Sequence, residues 1–206
     1  MLGYTIAYFM YRSSTRIRLI VGTILIVQFF TAYVIRAYAV MLIMGRNGLV
    51  NQTLLATGIV DRPLQLLGTQ IGVAVGMVLI SLPFMVFPIL SSLQAIPSNL
   101  EPAARSLGAK NFNVFWQVIF PLSVPGIAAG VAIVYLFELT SYIVPGILGG
   151  GFVDMIANLI QAKAMQSFEH SLAAAMAGVV LVVSGVTIYL LQKAFRLLSF
   201  EGTAPR

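Results

Sequence analysis

Ile71 to Leu90 reads IGVAVGMVLISLPFMVFPIL, twenty residues without a charged side chain. Wound as a helix at about 1.5 Å per residue, a run of that length spans roughly 30 Å, the hydrocarbon thickness of a bilayer. Lipid offers no partner to backbone N–H and C=O groups, so only helices or closed barrels cross it, and the run is about twice the length of a barrel strand. A transmembrane helix is expected here. Three further runs read the same way: Leu19 to Met44, Ile127 to Val144 and Ser171 to Leu191. Met1 to Met10 is also apolar but stops at Tyr11 and Arg12, which makes it the tail of a helix rather than a full crossing. Its positive charges follow the apolar stretch instead of preceding it, which argues against a cleaved signal peptide.

Composition agrees with this reading. The 206 residues are 59% hydrophobic and 9% charged, too few charges to coat a water-soluble domain. The expected fold is all-α, a polytopic transmembrane helical bundle of about four full spans plus a partial N-terminal one, forming a single domain over residues 1–206. The absence of cysteine removes disulfides, thiolate nucleophiles and Cys-based metal sites. A net charge of +6 fits loops held on the cytoplasmic side better than nucleic-acid binding.

Lysine and arginine positions set the orientation. With Arg12, Arg16 and Arg18 inside, Arg105, Lys110, Lys193, Arg196 and Arg206 fall on the same side, and only Arg46, Arg62 and Lys163 lie outside. The C-terminus is then cytoplasmic, and so is the one long polar loop, residues 94–120. On the outer side, Asp61-Arg62-Pro63 ends any helix through Leu54 and Leu55, and Gly149-Gly150-Gly151 breaks the chain after the third span. Met155, Ile156, Leu159 and Ile160 then recur at helical spacing behind Asp154, a candidate N-cap, so a short outer or re-entrant helix is expected.

The loop carries its own helix signals. Ser98-Asn99-Leu100-Glu101 has capping-box spacing, and either Ser98 or Asn99 as cap tolerates Pro102 in the first turn, where backbone N–H groups lack intrahelical partners. Ala103, Ala104 and Leu107 present a shallow apolar face, Arg105 and Lys110 project charge, and Gly108 permits a sharp exit. A second helical piece over Asn113 to Phe120 places Val114, Phe115, Val118 and Ile119 for packing on the membrane domain, and Pro121 and Pro125 mark re-entry into the span. From composition alone, a solvated linker hairpin is an equal reading.

The order of elements in LEPAARSLGAKNFNVFWQVIFPLSVPGI resembles the EAA loop of binding-protein-dependent ABC transporter permeases. LGYTIAYF, VIRAYAVMLIMGRNGLVNQ, PFMVFPILSSLQAIP and YIVPGILGGG extend the resemblance, which is to the spermidine/putrescine-type branch, across nearly the whole chain. It implies one permease subunit of an importer in the cytoplasmic (inner) membrane. Its partners would be cytoplasmic ATPase subunits, a second permease subunit and an extracytoplasmic solute-binding protein. ATP with Mg would be hydrolysed by the ATPase, and this chain would bind no cofactor. The resemblance places ATPase coupling on Glu101, Ala103, Ala104, Arg105, Leu107 and Gly108. Pro102 stands where the family usually has the glutamate, one residue after Glu101, so the carboxylate moves by about 100° around the helix. Such subunits usually have six spans, so a first span and part of a second would be missing here.

Glu138 lies within a span, where a carboxylate is costly enough to suggest function, and it suits a cationic polyamine. The alternatives are a place near the outer interface or an ion pair with Arg36 from a neighbouring span. Tyr135 and Tyr142 could flank a cation or act as interfacial anchors. Gly72 and Gly76, and Gly178 with Ser184 and Gly185, are suited to close helix packing. His170 stands alone, so no metal site is expected, and no phosphate-binding loop or catalytic constellation is present. Two other functions stay open: a structural or assembly subunit of a membrane complex, and an ion-coupled secondary transporter.

Overall fold

The computed structural model describes residues 1–153 and 155–198, and among these every regular element is helical. The chain forms two compact units. One comprises Met1–Leu25, Leu82–Tyr135 and the chain from Val182 on; the other comprises Ile26–Ser81 and Leu136–Leu181.

In the first unit, α1 (Leu2–Arg12) buries Gly3, Ala7 and Met10, a stripe at helical spacing. Its C-terminal carbonyls would otherwise lack donors. Arg18, on α2 (Thr15–Phe30), supplies them: Nε donates to the Met10 carbonyl and Nη2 to that of Tyr11, each at 3.0 Å. The core of this unit gathers Met10, Leu25, Val86, Ile89, Leu93, Val114 and Ile119. Val86, Ile89 and Leu93 come from α5 (Gln70–Gln94), where the 3–4 spacing puts them on one face.

Two glycines bring α5 against α8 (Phe120–Leu139). A Cβ on Gly126 would stand 2.6 Å from the Pro88 carbonyl oxygen and 3.0 Å from the Ile89 Cα, and one on Gly130 would stand 2.9 Å from the Met85 sulfur. Gly126 and Gly130 are a small-xxx-small pair, one helical turn apart.

The run from Asn111 to Leu139 is continuous: α7 (Asn111–Val114), a π-helical turn (Phe115–Ile119) and α8. The prolines expected to mark a re-entry lie inside a helix instead. Pro121 has no N–H for the Gln117 carbonyl and its ring crowds that oxygen. The wider turn, closed by Phe120 N–H to the Phe115 carbonyl, relieves the crowding without ending the helix.

The run read as one span over Leu19 to Met44, which passes from the first unit into the second, is two helices. Thr31 and Ala32 separate α2 from α3 (Tyr33–Met44), and Thr15–Phe30 meets Tyr33–Ala56 at 113°. Neither proline nor glycine stands there. The Val27 carbonyl accepts from both the Thr31 N–H at 3.0 Å and Thr31 Oγ1 at 2.7 Å, and the helix stops at Ala32, which is extended at ψ 135°. Among the described residues three helices are long and apolar enough to cross a membrane, within Gln70–Gln94, Asn111–Leu139 and His170–Phe195, and the bent pair makes a fourth if it is counted as one span.

Between α3 and α4 (Leu49–Ala56) the chain turns through Gly45–Gly48. Asn51, fully buried, donates to the carbonyls of Gly45 at 2.9 Å and Leu64 at 3.0 Å and accepts from the Leu64 N–H at 2.7 Å. α9 (Ile143–Gly149) lays Val144 and Leu148 against Ala37, Val40, Val73 and Ile80. Gly76 accommodates the Leu148 side chain, as expected of a close-packing glycine, and Gly72 leaves room for the Leu66 carbonyl. Gly178 and Gly185, on α11 (His170–Leu198), have no neighbour within 4 Å of a Cβ position among the described residues, so they mediate no close packing there.

Within α5, Pro83 withholds the donor that the Leu79 carbonyl would receive in an unbroken helix. Gln28 Nε2 takes that place at 2.7 Å. The expected outer helix is α10 (Ile156–Met165), and it buries no residue fully. Its candidate cap, Asp154, lies outside the described residues, as do Arg206 and the side chain of Arg196.

Candidate functional site

α6 (Leu100–Ser106) forms where the capping signals predict a helix, but without the capping box: Asn99 occupies the cap position and no side chain bonds the first-turn N–H groups. Glu101 turns the other way. Its Oε2 accepts from Arg12 Nη1 at 2.9 Å and its Oε1 from the Tyr11 hydroxyl at 3.3 Å, with Arg105 Nη2 4.0 Å from Oε2. The competing donor is the Arg12 guanidinium on α1, whose charge-assisted bond is stronger than a neutral cap bond.

The helix ends in a Schellman motif. The N–H of Gly108 meets the Arg105 carbonyl at 2.9 Å and that of Ala109 the Ala104 carbonyl at 3.1 Å, with Gly108 at φ +86°. A Cβ at Gly108 would find open space, so glycine is needed there for its backbone conformation and not for a close approach.

Leu100, Ala104 and Ala109 face the core of the first unit, whereas Pro102, Ala103, Arg105 and Leu107 face outward. Leu107 is 89% exposed. Phe112 and Trp116 on the following helix are exposed as well, while Val114 and Ile119 are buried as the spacing predicts. Of the six residues singled out in the loop, Glu101 and Ala104 thus hold the segment to its own chain, and Ala103, Arg105, Leu107 and Gly108 present its outer surface. Sequence reasoning missed Arg12 and Tyr11. They lie about ninety positions from Glu101, and the only local sign was the placement of Tyr8 and Arg12 one turn apart.

The residues considered for a solute path are distributed. Tyr135 belongs to the first unit; Arg36, Glu138 and Tyr142 belong to the second. Both carboxylate oxygens of Glu138 are buried with no hydrogen-bond partner. The Ser81 hydroxyl beside it donates to the Val78 carbonyl at 3.3 Å. The ion pair with Arg36 does not form: among the described residues Arg36 makes no salt bridge, its Nε is unpartnered, and its guanidinium lies 5.5 Å over the Tyr33 ring. Tyr33 and Ser141 hydroxyls share a 2.6 Å hydrogen bond. Arg36, Tyr33, Thr140, Ser141 and Tyr142 line a cavity of about 160 Å³, which takes in two of the four predicted residues. Among the described residues no cluster of three metal-ligating side chains occurs.

Residues 1–196 match the family of the binding-protein-dependent transport system inner membrane component, and the chain belongs to it. It is 32% identical over 199 residues to the spermidine/putrescine transport system permease protein PotB of Haemophilus influenzae, covering 97% of this chain and 70% of that one. To PotB of Escherichia coli it is 33% identical over 198 residues, covering 96% and 72%. A bacterial ABC transporter involved in import of the acidic polysaccharide alginate has the same fold, with TM-score 0.70 at 20% identity over 94% of this chain and 71% of that one.

Proposed function

We propose that this chain is the transmembrane subunit of an ATP-driven importer whose α6 docks on a cytoplasmic ATPase, with a second permease subunit and an extracytoplasmic solute-binding protein completing the complex. The observation that carries the reading is the exposed Leu107 at the tip of a helix whose other side is fixed to its own chain. Burying such a side chain in a partner's groove contributes about 2 kcal/mol. Arg105 and Ala103 border it, and Gly108 turns the chain away behind it.

The lysine and arginine distribution supports a cytoplasmic loop and C-terminus. The solute is a polyamine of the spermidine/putrescine type or another small organic solute. That choice rests on the named activity of the PotB relatives and on an intramembrane carboxylate, Glu138, with Tyr135 and Tyr142 on the same stretch of chain and Arg36 at the cavity. ATP and Mg belong to the partner ATPase.

Co-purification of the ATPase with tagged permease tests the docking. Leu107→Asp and Gly108→Asp are expected to weaken association by about tenfold or more. Wild-type association and wild-type ATP hydrolysis in both variants would remove α6 from the role.

A further inference from the structure

We infer that Arg12 and Glu101 form a clasp that positions α6 on the end of α1, so that the loop helix and the first helix move together. The inference rests on the reading of α6 as the ATPase-docking helix and assigns Glu101 to positioning rather than to contact with the ATPase.

The geometry is that of a built contact. The Arg12 Nη1 to Glu101 Oε2 bond is 2.9 Å, and only 14% of the Glu101 side chain is exposed. Arg12 is itself oriented: its Nε donates to the Tyr8 hydroxyl at 3.0 Å, and its guanidinium lies 5.5 Å from the Tyr8 ring centre and 5.8 Å from that of Tyr11. The Tyr11 hydroxyl occupies the second carboxylate oxygen. Both oxygens of Glu101 therefore point at α1, away from the face that carries Leu107.

The anchor does not end at Arg12. Arg18 holds the last carbonyls of α1, so the contacts run from α2 through the end of α1 to α6. α6 needs such a tie, because it has seven residues and buries none of them fully. A helix that short has little stability of its own and takes its orientation from its contacts. Leu100 and Ala104 supply the apolar part of that contact, and the Arg12 to Glu101 pair supplies the directional part.

The test uses the complete complex in lipid nanodiscs. The readouts are the amount of ATPase that co-purifies and the stimulation of ATP hydrolysis by the binding protein, loaded with whichever of spermidine, putrescine or a panel of amino acids stimulates the wild type most. Arg12→Gln and Glu101→Gln are each expected to retain the ATPase and to lose about twofold to fivefold of the stimulation, the range of a single partly exposed ion pair. Because the chain has no cysteine, Arg12→Cys combined with Glu101→Cys can be joined by a bifunctional methanethiosulfonate, with cysteine-free partner subunits. Joining should restore stimulation, and cleavage with dithiothreitol should return it to the reduced level, in one folded sample. Wild-type stimulation in both single variants, failure of the two positions to be bridged, or no change on bridging would overturn the clasp. Loss of the ATPase in Glu101→Gln but not in Arg12→Gln would instead make Glu101 a direct contact. Failure of the docking reading is separate, since it would show in Leu107→Asp.

Discussion

Gln28 illustrates how one polar side chain can pair with a proline that it does not precede in any motif. Its amide reaches the Leu79 carbonyl that Pro83 leaves without a donor. Gln28→Leu should therefore lower the thermal stability of the purified protein by the equivalent of about 1–3 kcal/mol. In a Pro83→Ala background, where residue 83 regains an N–H, the same change should cost less, and equal costs in the two backgrounds would disprove the pairing. None of this is visible in sequence, because a lone glutamine in an apolar run has no periodic partner. Gly108 was legible for the opposite reason: a glycine behind a short apolar-faced helix is a local signal, and the Schellman bonds at Gly108 and Ala109 follow from it. Glu101 was misread locally, since the capping spacing was present but Arg12 offered the carboxylate a stronger partner.

Among the elements, α5 against α8 is the contact that depends most on missing side chains. Gly126 faces backbone atoms, the Pro88 oxygen and the Ile89 Cα, whereas Gly130 meets first the end of the Met85 side chain. Gly126→Ala should thus destabilise more than Gly130→Ala, by about 1–3 kcal/mol; thermal melts of the two purified variants in detergent check the order, and the reverse order would refute the contact geometry. The apolar runs themselves were legible from length and charge alone, as Ile71 to Leu90 shows by lying within Gln70–Gln94. Their interruptions were not. Thr31 and Ala32 break a helix with no proline or glycine to announce it, while Pro121, which does announce a break, is absorbed by a π turn, and Pro125 lies inside α8 without ending it. A breaker residue shifts a local preference, and neighbouring donors and space decide whether the helix yields.

For the whole molecule, family membership follows from residues 1–196, and the proposed solute can be tested at one residue. Glu138 gives the handle. If its carboxylate recognises a polyamine, Glu138→Gln should reduce spermidine uptake into proteoliposomes by about tenfold, at unchanged ATPase association, as expected for loss of a desolvated charge contact. Unaltered uptake would assign the residue to structure. The helices also differ in how far the chain covers them: 44% of the most apolar stretch of α5 is buried, against 6% of that of α11. One consequence reaches across the molecule from the π turn at Phe115–Ile119. Its extra residue sets the phase between loop and span, so everything before Phe115 is rotated by about 100° from where a plain α-helix would carry it. Removing a single residue from that turn would keep every side chain's chemistry and yet aim Leu107 at a different quarter of its surroundings. The address of the docking face is thus written in helical phase as much as in the identity of the residues that form it.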